Sequence, residues 1–423
     1  MKKYLFFVFL NVLFLGVQAQ TKSITVHSAT TGKEEVIEIP ENIWSETESL
    51  YNDWLSKNYI STGENCSNTA TGPVVSDSII IDRLQRIPSI IEMPFNEPVK
   101  KFINLYSNDL RKRVAFMLAA GNYYIPTFEK ALDLYDLPME LKYLPVIESS
   151  LNPTAVSRQG AAGLWQFMVN TGKNYDLDNN SLIDERRDPI KSTWAAAHYL
   201  KDLYNIYQDW NLVLAAYNCG PGTINKAIRR AGGQKDYWQI YNYLPKETRG
   251  YVPAFIAANY IMTYYCEHGI CPMESKMPLA TDTVQISKDL HLQQVAEVCK
   301  VDIDELRVLN PQYKKDIIPG NSMVCSLRLP TTSIGTFIDN EKTIFDYKAD
   351  ELLTKRSRVA ISNNAPAETS HHSSRNSAKY HKVRRGDTLG AISEKYGVSV
   401  SQLRRLNNIK SSNITAGKSI RIR

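Results

Sequence analysis

From Ile79 to about residue 275 the chain is written in helical period, and this limits its fold more than any other feature. Residues 110–120 and 127–135 place apolar side chains at helical spacing, and Pro138 opens a further helix at a tolerated first-turn position. Asp188-Pro189 supplies an N-cap and a first-turn proline ahead of Trp194, Ala195, Ala196, Ala197, Tyr199, Leu200, Leu203 and Tyr204. A short apolar helix over 212–217 ends near Asn218-Cys219-Gly220-Pro221-Gly222, and a helix over 223–230 stops at Gly232-Gly233. Residues 253–267 are almost wholly apolar and are closed by Gly269, so this helix is expected at the centre of the core. Residues 79–275 therefore form one all-α domain of ordinary size.

Two smaller units follow. Residues 380–423 read strand, turn (Gly386-Asp387-Thr388), helix, helix, turn (Asn407-Asn408), strand, which is a βααβ module. Residues 281–330 repeat that grammar loosely, as an internal repeat does. Residues 331–379 are expected to be a linker, and 357–379 are rich in Ser, Asn, Ala, Arg and His. Residues 20–78 are polar with some alternation and carry no assignable role. Residues 1–19 read as an export signal: Lys2-Lys3, an apolar run, and a small-residue cleavage site near Ala19, with no adjacent Cys to carry a lipid.

The 423 residues carry a formal charge of +6, and loss of Lys2 and Lys3 leaves 6 − 2 = +4. So mild and scattered a charge is no footprint for nucleic acid. Six cysteines in an exported chain make disulfides plausible, with Cys266–Cys271 and Cys299–Cys325 as candidate pairs and Cys66–Cys219 left by elimination. The histidines are dispersed, so no metal site and no cofactor are expected.

Glu148 is the candidate catalytic residue. It follows Leu144-Pro145-Val146-Ile147 and precedes Ser149-Ser150, with Gly160-Ala161-Ala162-Gly163-Leu164-Trp165-Gln166 downstream. A carboxyl set in such apolar surroundings loses hydration and keeps its proton to higher pH, as a proton donor to a glycosidic oxygen must.

These motifs resemble the goose-type-lysozyme-like lytic transglycosylases. The resemblance rests on Glu148-Ser149-Ser150 with Asn152-Pro153, on Gly160 to Gln166, on Ala215-Ala216-Tyr217-Asn218-Cys219-Gly220, and on Glu247-Thr248-Arg249-Gly250-Tyr251-Val252-Pro253. Val383-Arg384-Arg385-Gly386-Asp387-Thr388-Leu389 with Leu406-Asn407 resembles a LysM module. The implied fold is a mainly α, lysozyme-like domain plus small α+β LysM modules. The implied activity is cleavage of the MurNAc-β-1,4-GlcNAc bond of peptidoglycan with formation of a 1,6-anhydromuramyl end. Glu148 would be the acid and then the base, while Ser157, Gln166, Tyr217, Asn218 and Tyr251 would bind substrate or orient it. Gly386, Asp387, Thr388, Leu389, Asn407 and Ile409 would contact glycan; Asp387 is equally a natural helix N-cap. The first copy has Ser287-Lys288-Asp289-Leu290 in place of Gly-Asp-Thr, so it is either a glycan binder or a structural unit. Peptidoglycan strands are the expected partner of a periplasmic, peripherally associated monomer. A water-using muramidase, with Asp184, Glu185 or Glu247 as second carboxylate, and a non-catalytic wall-binding protein are the alternatives.

Overall fold

The computed structural model describes residues 22–27, 32–44, 60–62, 72–275, 277–278, 280–354, 380–383, 389, 392, 400–407, 409 and 418–421. They fall into two units, divided at residue 363.

In the first unit, β1 (Ser23–His27) and β2 (Glu34–Glu38) form an antiparallel hairpin with Ser23 opposite Glu38. The alternation of residues 20–78 thus becomes a real strand pair, burying Val26 and Ile37. A short helix α1 (Glu41–Trp44) follows, and β3 (Ile60–Thr62) pairs with β4 (Met273–Ser275) from the far end of the helical domain.

The helical body then runs α2 (Asp77–Arg86), α3 (Glu97–Ser107) and α4 (Arg111–Leu134). The two amphipathic stretches of the sequence fuse in α4, which passes through Pro126. A 3₁₀ turn over Met139–Tyr143 leads into α5 (Leu144–Ser149), and the αL residue Ser150 ends it. After α6 (Val169–Asn174) comes α7 (Pro189–Tyr207), where Asp188 accepts from the backbone N–H of Ile190 at 2.9 Å and Lys191 at 3.0 Å, the expected cap. Next are α8 (Trp210–Cys219), α9 (Pro221–Arg230) and α10 (Tyr237–Ile240).

Helix α11 (Lys246–Thr263) corrects the expected 253–267 helix: it begins seven residues before Pro253 (253 − 246 = 7). Proline at that point removes the N–H that would bond the carbonyl of Arg249, four residues back. The buried Tyr237 hydroxyl donates to that carbonyl instead, at 2.9 Å, so the helix continues. Its core position is as expected, with Phe255, Ile256 and Tyr260 fully buried.

Gly250 explains how the N-terminal hairpin docks on α11. A Cβ there would stand 2.6 Å from the Glu38 carbonyl oxygen and 2.7 Å from Ile37. Only glycine lets the strand come so close.

The first copy of the expected repeat is built from two strand pairs and two helices. β5 (Thr281–Ile286) pairs with β8 (Cys325–Pro330) and β6 (Asp289–His291) with β7 (Ile317–Pro319), around α12 (Leu292–Cys299) and α13 (Ile303–Leu309). The linker expectation needs correcting over 331–352, which forms α14 (Thr331–Asp339), α15 (Glu341–Asp346) and α16 (Ala349–Leu352). Phe337 and Ile344 are buried in the module's own core, so these helices belong to the module and not to a linker. Residues 355–379 lie outside the described residues.

In the second unit, β9 (Tyr380–Lys382) pairs with β10 (Ser419–Arg421), and α17 (Val400–Asn407) packs on them around Val383, Leu389, Ile392, Leu403 and Ile420.

The disulfide expectations are overturned where they can be seen. Cys219, Cys266, Cys299 and Cys325 are free thiols, so neither Cys266–Cys271 nor Cys299–Cys325 forms, and Cys219 pairs with nothing. Cys271 is disulfide-bonded. Proximity in sequence misled here, because a bridge depends on Cβ separation in the fold. No helix among the described residues is long and apolar enough to cross a membrane.

Candidate active site

A cleft of about 340 Å³ opens beside the end of α5. Glu148 lines it together with Ser157, Gln166, Tyr217, Asn218 and Tyr251, so all six residues expected of the active site share one cavity. They come from α5, the 155–168 turns, the end of α8 and the first turns of α11.

Glu148 sits on the last turn of α5, and the Tyr251 hydroxyl donates to its Oε1. Burial pushes the carboxyl up from 4.5 to about 8; the Tyr251 bond pulls it back down and the charge of Glu247 adds to the rise. The group is therefore largely protonated at neutral pH. Tyr251 is itself buried, and burial beside Glu148 holds its own pKa well above the ordinary value, so it stays a donor.

The opposite wall is a tight turn system. Ser157 Oγ accepts from the Ala161 N–H at 3.1 Å, and its own N–H donates to the Ala161 carbonyl at 2.9 Å. Gln166 has a positive φ of 47° and is 9 % exposed, and its Nε2 donates to the Gly163 carbonyl at 2.8 Å. That bond fixes the amide, while Oε1 is buried with no protein partner. A buried orphan acceptor in a cleft wall is suited to a ligand N–H or O–H.

Tyr217 donates its hydroxyl to the Trp165 carbonyl at 2.7 Å and presents its ring beside Tyr199, centroids 5.3 Å apart. Asn218 Oδ1 accepts from Thr248 Oγ at 2.8 Å, tying the end of α8 to the start of α11. Gly220, at φ 80°, makes the corner between α8 and α9 that leaves this edge open. Cys219 is half-buried with its thiol pKa raised by burial, which disfavours the thiolate a nucleophile needs.

Of the candidate second carboxylates, only Glu247 lines the cleft, and burial raises its pKa too. Asp184 and Glu185 serve structure: Asp184 pairs with Arg186 at 2.8 Å, and Glu185 with Lys191. Sequence reasoning missed Tyr199, Phe167, Met168 and Thr171, which share the cavity. It also missed Pro40 and Glu41, which bring the unassigned N-terminal region into the cleft, Glu41 pairing with Arg158 at 2.6 Å. No local signal marks a contact between residues more than a hundred positions apart.

In the C-terminal module, two of the expected glycan contacts have partners within the module itself. Leu389 is buried in the core. Asn407 Nδ2 donates to the carbonyls of Leu403 at 2.8 Å and Arg421 at 2.7 Å, and Oδ1 accepts from the Arg421 N–H at 2.6 Å. Ile409 is half-buried against the same core, and Gly386, Asp387 and Thr388 lie outside the described residues.

Residues 126–240 match the transglycosylase SLT domain, 280–346 the LysM-like domain of lytic transglycosylase MltD, and 381–423 the LysM domain. Membrane-bound lytic murein transglycosylase D of Escherichia coli K12 is 31% identical over 291 residues, which are 68% of this chain and 60% of that protein. The soluble lytic murein transglycosylase of the same organism is 30% identical over 124 residues, 28% of this chain and 19% of that protein. A crystal structure of the 70 kDa soluble lytic transglycosylase of Escherichia coli is also similar, with 26% identity over 35% of this chain and 25% of that one, at a TM-score of 0.30. The chain thus spans about three fifths of the length of the first two curated relatives, 60% of each.

Proposed function

We propose that this chain, which carries a transglycosylase SLT domain followed by two LysM-type modules, is a peptidoglycan lytic transglycosylase. It cleaves the MurNAc-β-1,4-GlcNAc bond and leaves a 1,6-anhydromuramyl end. The observation that carries the proposal is Glu148: a carboxyl on the cleft wall, held by Tyr251 and with its pKa raised to about 8.

Protonated Glu148 donates to the glycosidic oxygen as the bond to muramyl C1 breaks, and the GlcNAc hydroxyl leaves. The resulting carboxylate, stabilised by the Tyr251 hydroxyl, takes the proton of the muramyl C6 hydroxyl as that oxygen bonds to C1. No water enters the products, and Glu148 ends protonated as it began. Attack from within the same sugar profits from a high effective molarity, so a second catalytic carboxylate is not required.

Gln166 Oε1 accepts from a sugar hydroxyl or acetamido N–H. Ser157 and Asn218 shape the groove, and the Tyr217 and Tyr199 rings line it. The C-terminal module holds glycan around Gly386, Asp387 and Thr388, keeping the enzyme on its polymer. The chain works outside the inner membrane as a monomer after cleavage near Ala19, peripherally associated with wall or membrane.

Glu247 gives the hydrolytic alternative its one specific support, since it shares the cleft with Glu148. Mass spectrometry of digested wall separates the two: a hydrolysed end is one water, about 18 Da, heavier than an anhydro end, which reports the nucleophile.

A further inference from the structure

The two LysM-type modules are built alike. Asn310 Nδ2 donates to the carbonyls of Leu306 at 2.8 Å and Arg328 at 2.9 Å, and its Oδ1 accepts from the Arg328 N–H at 2.8 Å. Asn407 makes the same three bonds, with Asn and helix partner at an offset of 407 − 310 = 97 and the strand partner at 421 − 328 = 93. The same offset carries Val383, Leu389, Ile392 and Leu403 onto Ile286, Leu292, Val295 and Leu306, all buried. Ile409, two residues beyond the second helix, maps onto Gln312 at the same offset of 97.

In the first module that stretch is bonded to the helical domain. The Asp184 N–H donates to the Gln312 carbonyl at 2.9 Å, Ile183 and Tyr313 form an antiparallel bridge, and the Lys314 N–H donates to the Leu182 carbonyl at 2.8 Å. Lys314 Nζ donates to Asn179 Oδ1 and to the Asn180 carbonyl, both at 2.8 Å, and lies 4.0 Å from Asp184. Ile183 belongs to the module's core, and Leu182 packs with Ile317 and Leu353. Loop 179–184 is thus tied to the module by backbone bonds as well as by side chains.

That loop leads directly to the cleft. Asp184 grips Arg186 with two bonds of 2.8 Å, and Arg186 Nη1 donates to the carbonyls of Gly160 at 2.7 Å and Phe167 at 2.9 Å. Gly163 packs so tightly on this loop that a Cβ would fall 1.8 Å from the Arg186 carbonyl oxygen. Between those clamped carbonyls lie Ala161 and Gln166, both lining the cleft.

We propose that the first LysM-like module is a brace for the active-site wall and not a second glycan-binding hand. The edge 312–314 that pairs with loop 179–184 positions Arg186, and through it the turn bearing Gln166. Lys314 is the positioning residue at that edge. The kinetic part rests on the lytic transglycosylase reading above; the placement of the wall does not.

Lys314→Glu in the full mature chain sets a negative charge against Asp184, and Lys314→Arg preserves the sign. Hydrogen exchange at residues 160–167 should quicken roughly fivefold in K314E, as for the loss of a modest ion-pair contribution, and return towards wild type in K314R. On soluble glycan oligomers too short to reach beyond the cleft, KM should rise roughly fivefold with kcat changed less than about twofold. Unchanged exchange at 160–167 in K314E overturns the brace. So does unchanged KM on short oligomers combined with weaker binding to long strands, which would make the edge a glycan site. If wild type releases no glycan product, the transglycosylase reading fails, while the exchange comparison still decides the brace.

Discussion

Replacing Glu148 with Gln measures how strongly the fold protonates this carboxyl, without any substrate. In the folded chain its pKa stands at about 8 against an ordinary 4.5. Below the lower value both folded and unfolded chains hold the proton. Between the two values the unfolded chain has released it and the folded chain has not, so stability falls as pH rises. Above the higher value both are ionised and the slope disappears. The interval 8 − 4.5 = 3.5, at about 1.36 kcal/mol per pH unit, sets a ceiling of roughly 5 kcal/mol. Relaxation around the charge lowers this, and a loss of roughly 2–4 kcal/mol is expected across the window. The Gln variant has no proton to release and lacks that slope. Urea unfolding of both proteins between about pH 5 and 8 should show the variant gaining on wild type as pH rises. A stability difference that stays flat across this range refutes the desolvated, protonated carboxyl.

Other substitutions probe the same site and the scaffold behind it. Tyr251→Phe removes the bond that favours the Glu148 carboxylate, so the basic limb of the kcat/KM profile should move to higher pH while the rate falls roughly tenfold or more. Glu247→Gln removes the neighbouring charge that raises Glu148, so that limb should move to lower pH with the anhydro product retained; a switch to hydrolysed product would make Glu247 a participant. Gly250→Val forces a side chain into the Glu38 carbonyl and should cost roughly 2–4 kcal/mol in denaturant unfolding. Asn310→Ala strips the cap shared by helix and strand, and should destabilise the protein by roughly 1–3 kcal/mol.

What could be read in the sequence and what could not divide along physical lines. That Glu148, Gln166 and Tyr251 share one cleft was legible because each sits in a short motif that fixes a local turn. The N-cap at Asp188 and the repeat at residues 281–330 were legible for the same local reason. Helix α11 was misjudged because a proline normally starts a helix, and the compensating hydroxyl of Tyr237 comes from another element. Pro40 and Glu41 escaped notice because strand hairpins acquire their neighbours only on folding, through the space left by Gly250. The structural bonds of Asn407 were not legible, because its partner Arg421 lies fourteen residues away on a different element.

The central claim concerns which oxygen attacks the muramyl C1. Purified peptidoglycan digested with the mature protein, and analysed by mass spectrometry, reads this directly. The expected product carries a 1,6-anhydro end, about 18 Da lighter than its hydrolysed counterpart, as attack by the sugar's own hydroxyl requires. That product should vanish with Glu148→Gln. Ends that carry the added water, or anhydro ends still formed by the Gln variant, contradict the assignment of both proton transfers to Glu148.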